Sequence, residues 1–119
     1  MTVYDSENII AKILRAEIPC NKVFEDEYTI AIRDIAPKAP SHVLVIPKGA
    51  YQTHDDFMNK ASEAEILAFQ RAITAVVVHE NLAEGGYRLV MNNGINGGQE
   101  IPHLHCHVLG GTKLHIAMN

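Results

Sequence analysis

His103, His105 and His107 fall within five residues, separated by Leu104 and Cys106. Side chains on a β-strand alternate between its faces, so this spacing predicts three imidazoles on one face, successive rings roughly 6–7 Å apart. Leu104, Cys106 and Val108 then turn to the core. Such a row can engage different oxygens of one phosphate-sized group, and two chemistries suit it. Histidines at i and i+2 can ligate zinc, with water completing the site. Against zinc, no carboxylate is interleaved with the rings, and Glu100 is the only acidic residue close by in sequence. The other chemistry is nucleophilic attack on phosphorus, which needs a neutral imidazole whose one nitrogen is bare while the other donates the hydrogen bond that sets the tautomer. An isolated histidine titrates at about 6.5, and close rings oppose one another's protonation, so the cluster keeps at least one ring free near neutrality.

The surroundings favour the second chemistry. Just upstream, Asn92-Asn93-Gly94-Ile95-Asn96-Gly97-Gly98-Gln99 permits close backbone approach and offers N–H groups to an anion. It matches neither a Walker loop nor a dinucleotide-binding fingerprint. His42 opens a β-rich run on the same alternating face as Leu44 and Ile46, where it joins the triad if the two strands are neighbours. A hydrogen-bonded histidine at a strand end is the alternative. Asp34 reads locally as a solvated turn former, although a carboxylate there can accept both hydroxyls of a ribose. His54, His79 and His115 lack comparable company and are expected to be surface or supporting residues.

The elements that must position these groups are short. Ile9, Ile10, Ile13 and Leu14 form one helical stripe, with Asp5 or Ser6 as cap and Pro19 as terminator. Strands are predicted over Lys22 to Glu27 and Thr29 to Asp34, turning at Glu25-Asp26-Glu27, and over Ser41 to Ile46 after the rigid Ala36–Pro40 loop. Ser62 and Glu65 make a capping box for a helix carrying Ile66, Phe69, Ile73, Val76 and Val77, closed by Gly85-Gly86. Tyr87 to Met91 and His103 to Leu109 complete the strands. Strands that follow one another directly pair antiparallel, so the fold class is α+β: a five-stranded, mainly antiparallel sheet with two helices packed against it.

The 119 residues suit a single domain over 1–119, and 47% hydrophobic with 20% charged residues is an ordinary globular mix. A net charge of −4 argues against a nucleic-acid partner, which requires excess Lys and Arg, while leaving a small phosphate ligand open. Cys20 and Cys106 are too few for a disulfide framework or a four-thiolate metal site. No apolar run approaches the roughly 20 residues a bilayer span needs, and no secretion signal is visible. A soluble cytoplasmic protein is expected, with no membrane partner.

With its alternating histidines, His103-Leu104-His105-Cys106-His107-Val108-Leu109 resembles the signature of the histidine triad (HIT) family. Asp34-Ile35-Ala36-Pro37-Lys38-Ala39-Pro40-Ser41-His42 with Val43 to Lys48 is similar to that family's nucleoside-binding segment. Gly97-Gly98-Gln99, Gly110-Gly111 and Glu17-Ile18-Pro19 fit its Hint-type branch. The resemblance implies a HIT-like fold and a purine nucleoside phosphoramidase, a hydrolase of P–N bonds that cleaves adenosine 5'-monophosphoramidates such as AMP-lysine through a nucleotidyl-histidine intermediate. It implies no metal and no other cofactor, a purine nucleoside monophosphate or its phosphoramidate as ligand, and a homodimer. His105 would be the nucleophile and His107 would bond a non-bridging oxygen, with His103 and His42 supporting the site. Asp34 would hold the ribose, Ile35 would line the base pocket, and Asn92, Gly98 and Gln99 would flank the phosphate. Glu100 stands where some relatives carry a small hydroxyl residue against the leaving group, and the segment from Lys113 to Asn119 lacks a Trp seen in others. A dinucleoside polyphosphate hydrolase and a non-catalytic nucleotide-binding or scaffolding module are the alternatives.

Overall fold

A computed structural model describes residues 3–115. Along the chain run helix α1 (Ile9–Leu14), strands β1 (Lys22–Glu25), β2 (Thr29–Arg33) and β3 (Ser41–Pro47), helices α2 (His54–Lys60) and α3 (Glu63–His79), and strands β4 (Tyr87–Val90) and β5 (Cys106–Gly110). The five strands form one sheet in the order β1-β2-β3-β5-β4, every pair antiparallel. Among the described residues no helix is long and apolar enough to cross a membrane.

Both faces of the sheet are covered, and alternation decides which residue goes where. Ala31, Val43, Val45, Cys106 and Val108 point to one face, where Phe57 of α2 and Phe69, Ala72, Ile73 and Val76 of α3 bury them. Ile30, Ile32, Leu44 and Ile46 point to the other, under Ile10 of α1. β3 is therefore buried on both sides along its whole length. Residues opposite one another in an antiparallel pair share a face. Leu44 stands opposite His107, and His42 opposite Leu109, so His42 and His107 are diagonal neighbours on the α1 face, beyond the part that α1 covers.

Several boundaries differ from the sequence expectations. Asn8, not Asp5 or Ser6, caps α1 by accepting the Ala11 N–H, and the helix stops at Leu14, well before Pro19, as Ala16 enters the left-handed region at φ 62°. There are three helices rather than two: α2, capped by Thr53, has seven residues and only Phe57 as a buried apolar side chain, too little to show a period. The Ser62–Glu65 capping box does start α3. Its end is set by Asn81 rather than by Gly85-Gly86. Asn81 adopts φ 57°, its N–H donates to Val78 C=O, and the Leu82 N–H reaches back to Val77 C=O in a Schellman motif.

One junction beyond α3 holds the end of the sheet that carries the histidines. The Glu80 carboxylate receives both Arg33 N–H groups at 2.6 and 2.8 Å and the Ser41 hydroxyl at 2.7 Å. The guanidinium lowers the Glu80 carboxyl to about 2. Arg33 ends β2 and Ser41 begins β3, so the loop from Asp34 to Pro40 springs from two points anchored to one carboxylate.

Candidate active site

A cleft of about 290 Å³ on the α1 face is lined by Asp34, Lys38, His42, Asn92, Gln99, Glu100, His105 and His107, among others. Two larger hollows, of about 700 and 520 Å³, lie elsewhere on the chain and contain no histidine. Of the three histidines that the strand pattern would align, only two face this cleft. β5 begins at Cys106, and His103 sits before it in a tight turn, its N–H donating to Ile101 C=O at 2.8 Å. Leu104 still packs on the same face as Cys106 and Val108, but the His103 ring does not line the cleft: it is fully buried, between the Pro47 carbonyl and the Tyr4 hydroxyl. His42 takes the third place beside the cleft. The ring centroids of His105 and His107 are 5.1 Å apart, and those of His42 and His107 5.2 Å.

The hydrogen bonds settle where each proton resides, because a carbonyl can only accept and a backbone amide can only donate. His105 Nδ1 lies 2.7 Å from His103 C=O, so Nδ1 carries the hydrogen and Nε2 of the neutral ring is a bare lone pair. His42 Nδ1 accepts the Lys38 backbone N–H at 3.1 Å, so the His42 hydrogen is on Nε2. From there it donates to His107 Nδ1 at 2.9 Å. His107 must then carry its own hydrogen on Nε2. The cleft thus holds one unprotonated nitrogen, on His105, and one N–H donor, on His107. Behind them His103 Nε2–H donates to Pro47 C=O at 2.7 Å, and the Tyr4 hydroxyl donates to His103 Nδ1 at 2.6 Å.

Burial keeps all four rings neutral. It lowers His103 to about 4 against the opposing pull of the Pro47 carbonyl. It lowers His107 to about 4 as well, helped by His105 and His42. His42 and His105 are pushed down for the same reason, with the Asp34 charge acting in the opposite direction on both. Burial raises the Cys106 thiol to about 12, so it is an inert core group.

The remaining sequence candidates fall into two groups. Asp34, Asn92, Gln99 and Glu100 line the cleft, whereas Ile35, 95% exposed, and Gly98 do not. Asp34 Oδ2 stands 3.5 Å from His42 Nε2, so the carboxylate beside the rings comes from the distant β2 end rather than from Glu100 alone. The glycine-rich loop is not an open nest: the N–H groups of Gly94, Gly98 and Gln99 go to Gln99 Oε1, Ile95 C=O and Gly94 C=O. Gln99 Nε2 donates to Gln52 and Ile101 carbonyls, and Asn93 Oδ1 accepts the His54 N–H at the start of α2. Gly97 is required because a Cβ there would collide with the Asn93 main chain. The Lys38 amide, within the Asp34–His42 segment, and Tyr4, which neither a motif nor a period marks in the sequence, belong to the site's framework too.

Asp34, His42 and His107 also place one ligand atom each within 4.8 Å of one another, which could hold a metal. The His42 and His107 nitrogens are 2.9 Å apart with a hydrogen between them. Two zinc ligands at about 2.0–2.1 Å in a tetrahedron would stand roughly 3.3–3.4 Å apart, so the observed pair fits a hydrogen bond and would have to open and lose its proton to bind zinc.

The HIT domain family profile matches residues 15–114. The chain is 52% identical over 111 residues to an uncharacterized 13.2 kDa HIT-like protein of Azospirillum brasilense, covering 93% of this chain and 91% of that protein. It is 43% identical over 111 residues to the purine nucleoside phosphoramidase of Escherichia coli K12, covering 91% and 90%. A crystal structure of a HIT family hydrolase from Legionella pneumophila superposes with a TM-score of 0.83 at 40% identity, covering 90% of this chain and 95% of that one.

Folded-state values below the unfolded value mean that the unfolded chain binds more protons once pH falls under about 6.5. The stability contributed by His103 and His107 is therefore complete above about 6.5 and lost as pH falls toward about 4. Proton NMR titration should show these two rings titrating near pH 4, and ring nitrogen shifts at pH 7 should place hydrogen on Nδ1 in His105 but not in His42, His103 or His107. Titration of both rings near 6.5 in the folded protein would contradict the assignment.

Proposed function

The chain belongs to the HIT domain family, and from that premise we propose that it is a purine nucleoside phosphoramidase, hydrolysing P–N bonds in adenosine 5'-monophosphoramidates such as AMP-lysine. The observation that carries the reading is the pairing of a bare His105 Nε2 with a His107 N–H donor in one cleft. In the first step the Nε2 lone pair forms a bond to the α-phosphorus, the P–N bond breaks, and the amine departs with its electron pair. As His105 becomes cationic, its Nδ1–H bond to His103 C=O strengthens, so the carbonyl stabilises the transition state more than the ground state. The His107 N–H bonds a non-bridging oxygen as charge builds there, a contact of a kind typically worth ~10²–10³-fold. Water then attacks phosphorus, releasing nucleoside monophosphate and free imidazole. No metal and no cofactor enters this scheme.

The leaving amine needs a proton. With the four rings held below their usual range, a proton already on the substrate nitrogen is the better source near pH 7. Asp34 would take the ribose hydroxyls, exposed Ile35 would give the purine an apolar surface, and Asn92 and Gln99, which line the cleft, would flank the phosphate. Glu100 supports an amine over a phosphate leaving group, because an anionic departing group would meet a carboxylate in the same cleft. His105→Ala should abolish turnover while retaining binding of the monophosphate, and full activity in that variant would refute the assignment. An adenosine phosphoramidate should be turned over much faster than a diadenosine polyphosphate. The reverse preference would favour the polyphosphate hydrolase.

The reading includes a cytoplasmic homodimer. β4 supports the dimer: among the described residues it is an edge strand paired with β5 alone, and it exposes Tyr87 and Leu89, the kind of partly apolar edge that pairs with another chain. Sedimentation velocity should give a dimer that Leu89→Lys converts to monomer, and a wild-type monomer at micromolar concentration would exclude it.

A further inference from the structure

Tyr4 lies ninety-nine positions from His103 in sequence, yet its hydroxyl reaches His103 Nδ1 at 2.6 Å and its ring packs edge-on at 5.6 Å between centroids. His103 is fully buried, and its other nitrogen is committed to the Pro47 carbonyl. Without Tyr4, Nδ1 would be a buried acceptor lacking the donor it has now, an arrangement a folded protein avoids by flipping the ring, protonating it or admitting water. Each of these disturbs the residue whose main-chain carbonyl receives His105 Nδ1–H. The peptide unit from His103 to Leu104 is a narrow link between these groups, with the Leu104 N–H donating to Tyr51 C=O at 2.8 Å while the His103 carbonyl serves the nucleophile.

We infer that Tyr4 is a positioning residue for the reaction: its hydroxyl fixes the tautomer and orientation of His103, and His103 in turn orients His105. The inference rests on the reading of His105 as the nucleophile, and it gives the segment before α1 a part in the chemistry although Tyr4 does not line the cleft. A structural anchor would behave differently. Anchoring is a property of ring packing, which Phe supplies, whereas positioning requires the hydroxyl.

The test is Tyr4→Phe, with Asp5→Ala as a control that loosens the same segment by removing the carboxylate accepting the Glu7 N–H. Tyr4→Phe should lower kcat for an adenosine phosphoramidate about tenfold, the loss expected for stranding one buried acceptor, and leave KM within about twofold. Its His103 and His105 ring nitrogen shifts at pH 7 should move, and His103 should titrate above its value of about 4. Asp5→Ala should change neither. Unchanged kcat and ring shifts in Tyr4→Phe, or an equal loss in Asp5→Ala, would overturn the inference. The nitrogen shifts are read without substrate, so they test the linkage even if the wild-type protein hydrolyses no phosphoramidate. Activity in the wild type with no response to Tyr4→Phe would sink the inference and leave the phosphoramidase reading intact.

Discussion

A neutral imidazole has one N–H and one lone pair, and which nitrogen holds which is decided by what the surroundings can accept or donate. In this protein main-chain groups decide it on both sides of the cleft. The His103 carbonyl can only accept, so His105 presents a bare nitrogen. The Lys38 amide can only donate, so His42, and through it His107, is left with a hydrogen on Nε2. Both arrangements are set by neutral main-chain groups, and burial discourages the protonation that would erase the difference. Two identical side chains 5.1 Å apart thereby acquire opposite roles. If either of these main-chain hydrogen bonds were broken, the ring could take the other tautomer, and a nucleophile and a donor would no longer face the same volume.

The fold serves these hydrogen bonds by holding main chain rather than side chain. The loop that carries the Lys38 amide begins and ends at residues bound to the Glu80 carboxylate, and Asp34 N–H bonds the His42 carbonyl across its mouth. The turn that carries the His103 carbonyl is held by Tyr51 from one side and by Pro47, at the end of β3, from another. The glycine-rich loop takes up its Gly94, Gly98 and Gln99 amides internally and bonds to α2 through Asn93, so it frames the cleft as a preset wall. β3, buried on both faces, lies between the two sides of the site and fixes their separation.

Much of this is legible in the residues, and the parts that are not share a cause. The long helix announces itself through an apolar period and a reciprocal cap at Ser62 and Glu65, both local signals. Most strand boundaries fall within a residue or two of the alternating pattern because alternation is local as well. The row of histidines reaches the cleft only in part: Leu104, Cys106 and Val108 share the buried face that alternation predicts, but the His103 ring is fully buried and does not line the cleft. The adjacency of His42 to His107 depends on register between strands sixty-five residues apart, and the hydrogen bond from Tyr4 spans ninety-nine. Sequence proximity points to Glu100 alone as the carboxylate in the cleft, whereas Asp34 also reaches it, from the loop that follows β2. Seven-residue α2 has too few apolar positions to declare a period. Local patterns thus indicate what chemistry is present, while long-range packing determines which nitrogen performs it.

The most direct measurement is a rapid-quench reaction with adenosine phosphoramidate radiolabelled at phosphorus, followed by peptide mapping and identification of the labelled ring nitrogen. The account requires transient label on the peptide containing His105, with phosphorus bonded to Nε2, appearing before free nucleotide and decaying as it accumulates. Label on another histidine, label on Nδ1, or nucleotide release with no enzyme-bound phosphorus at any time would contradict it.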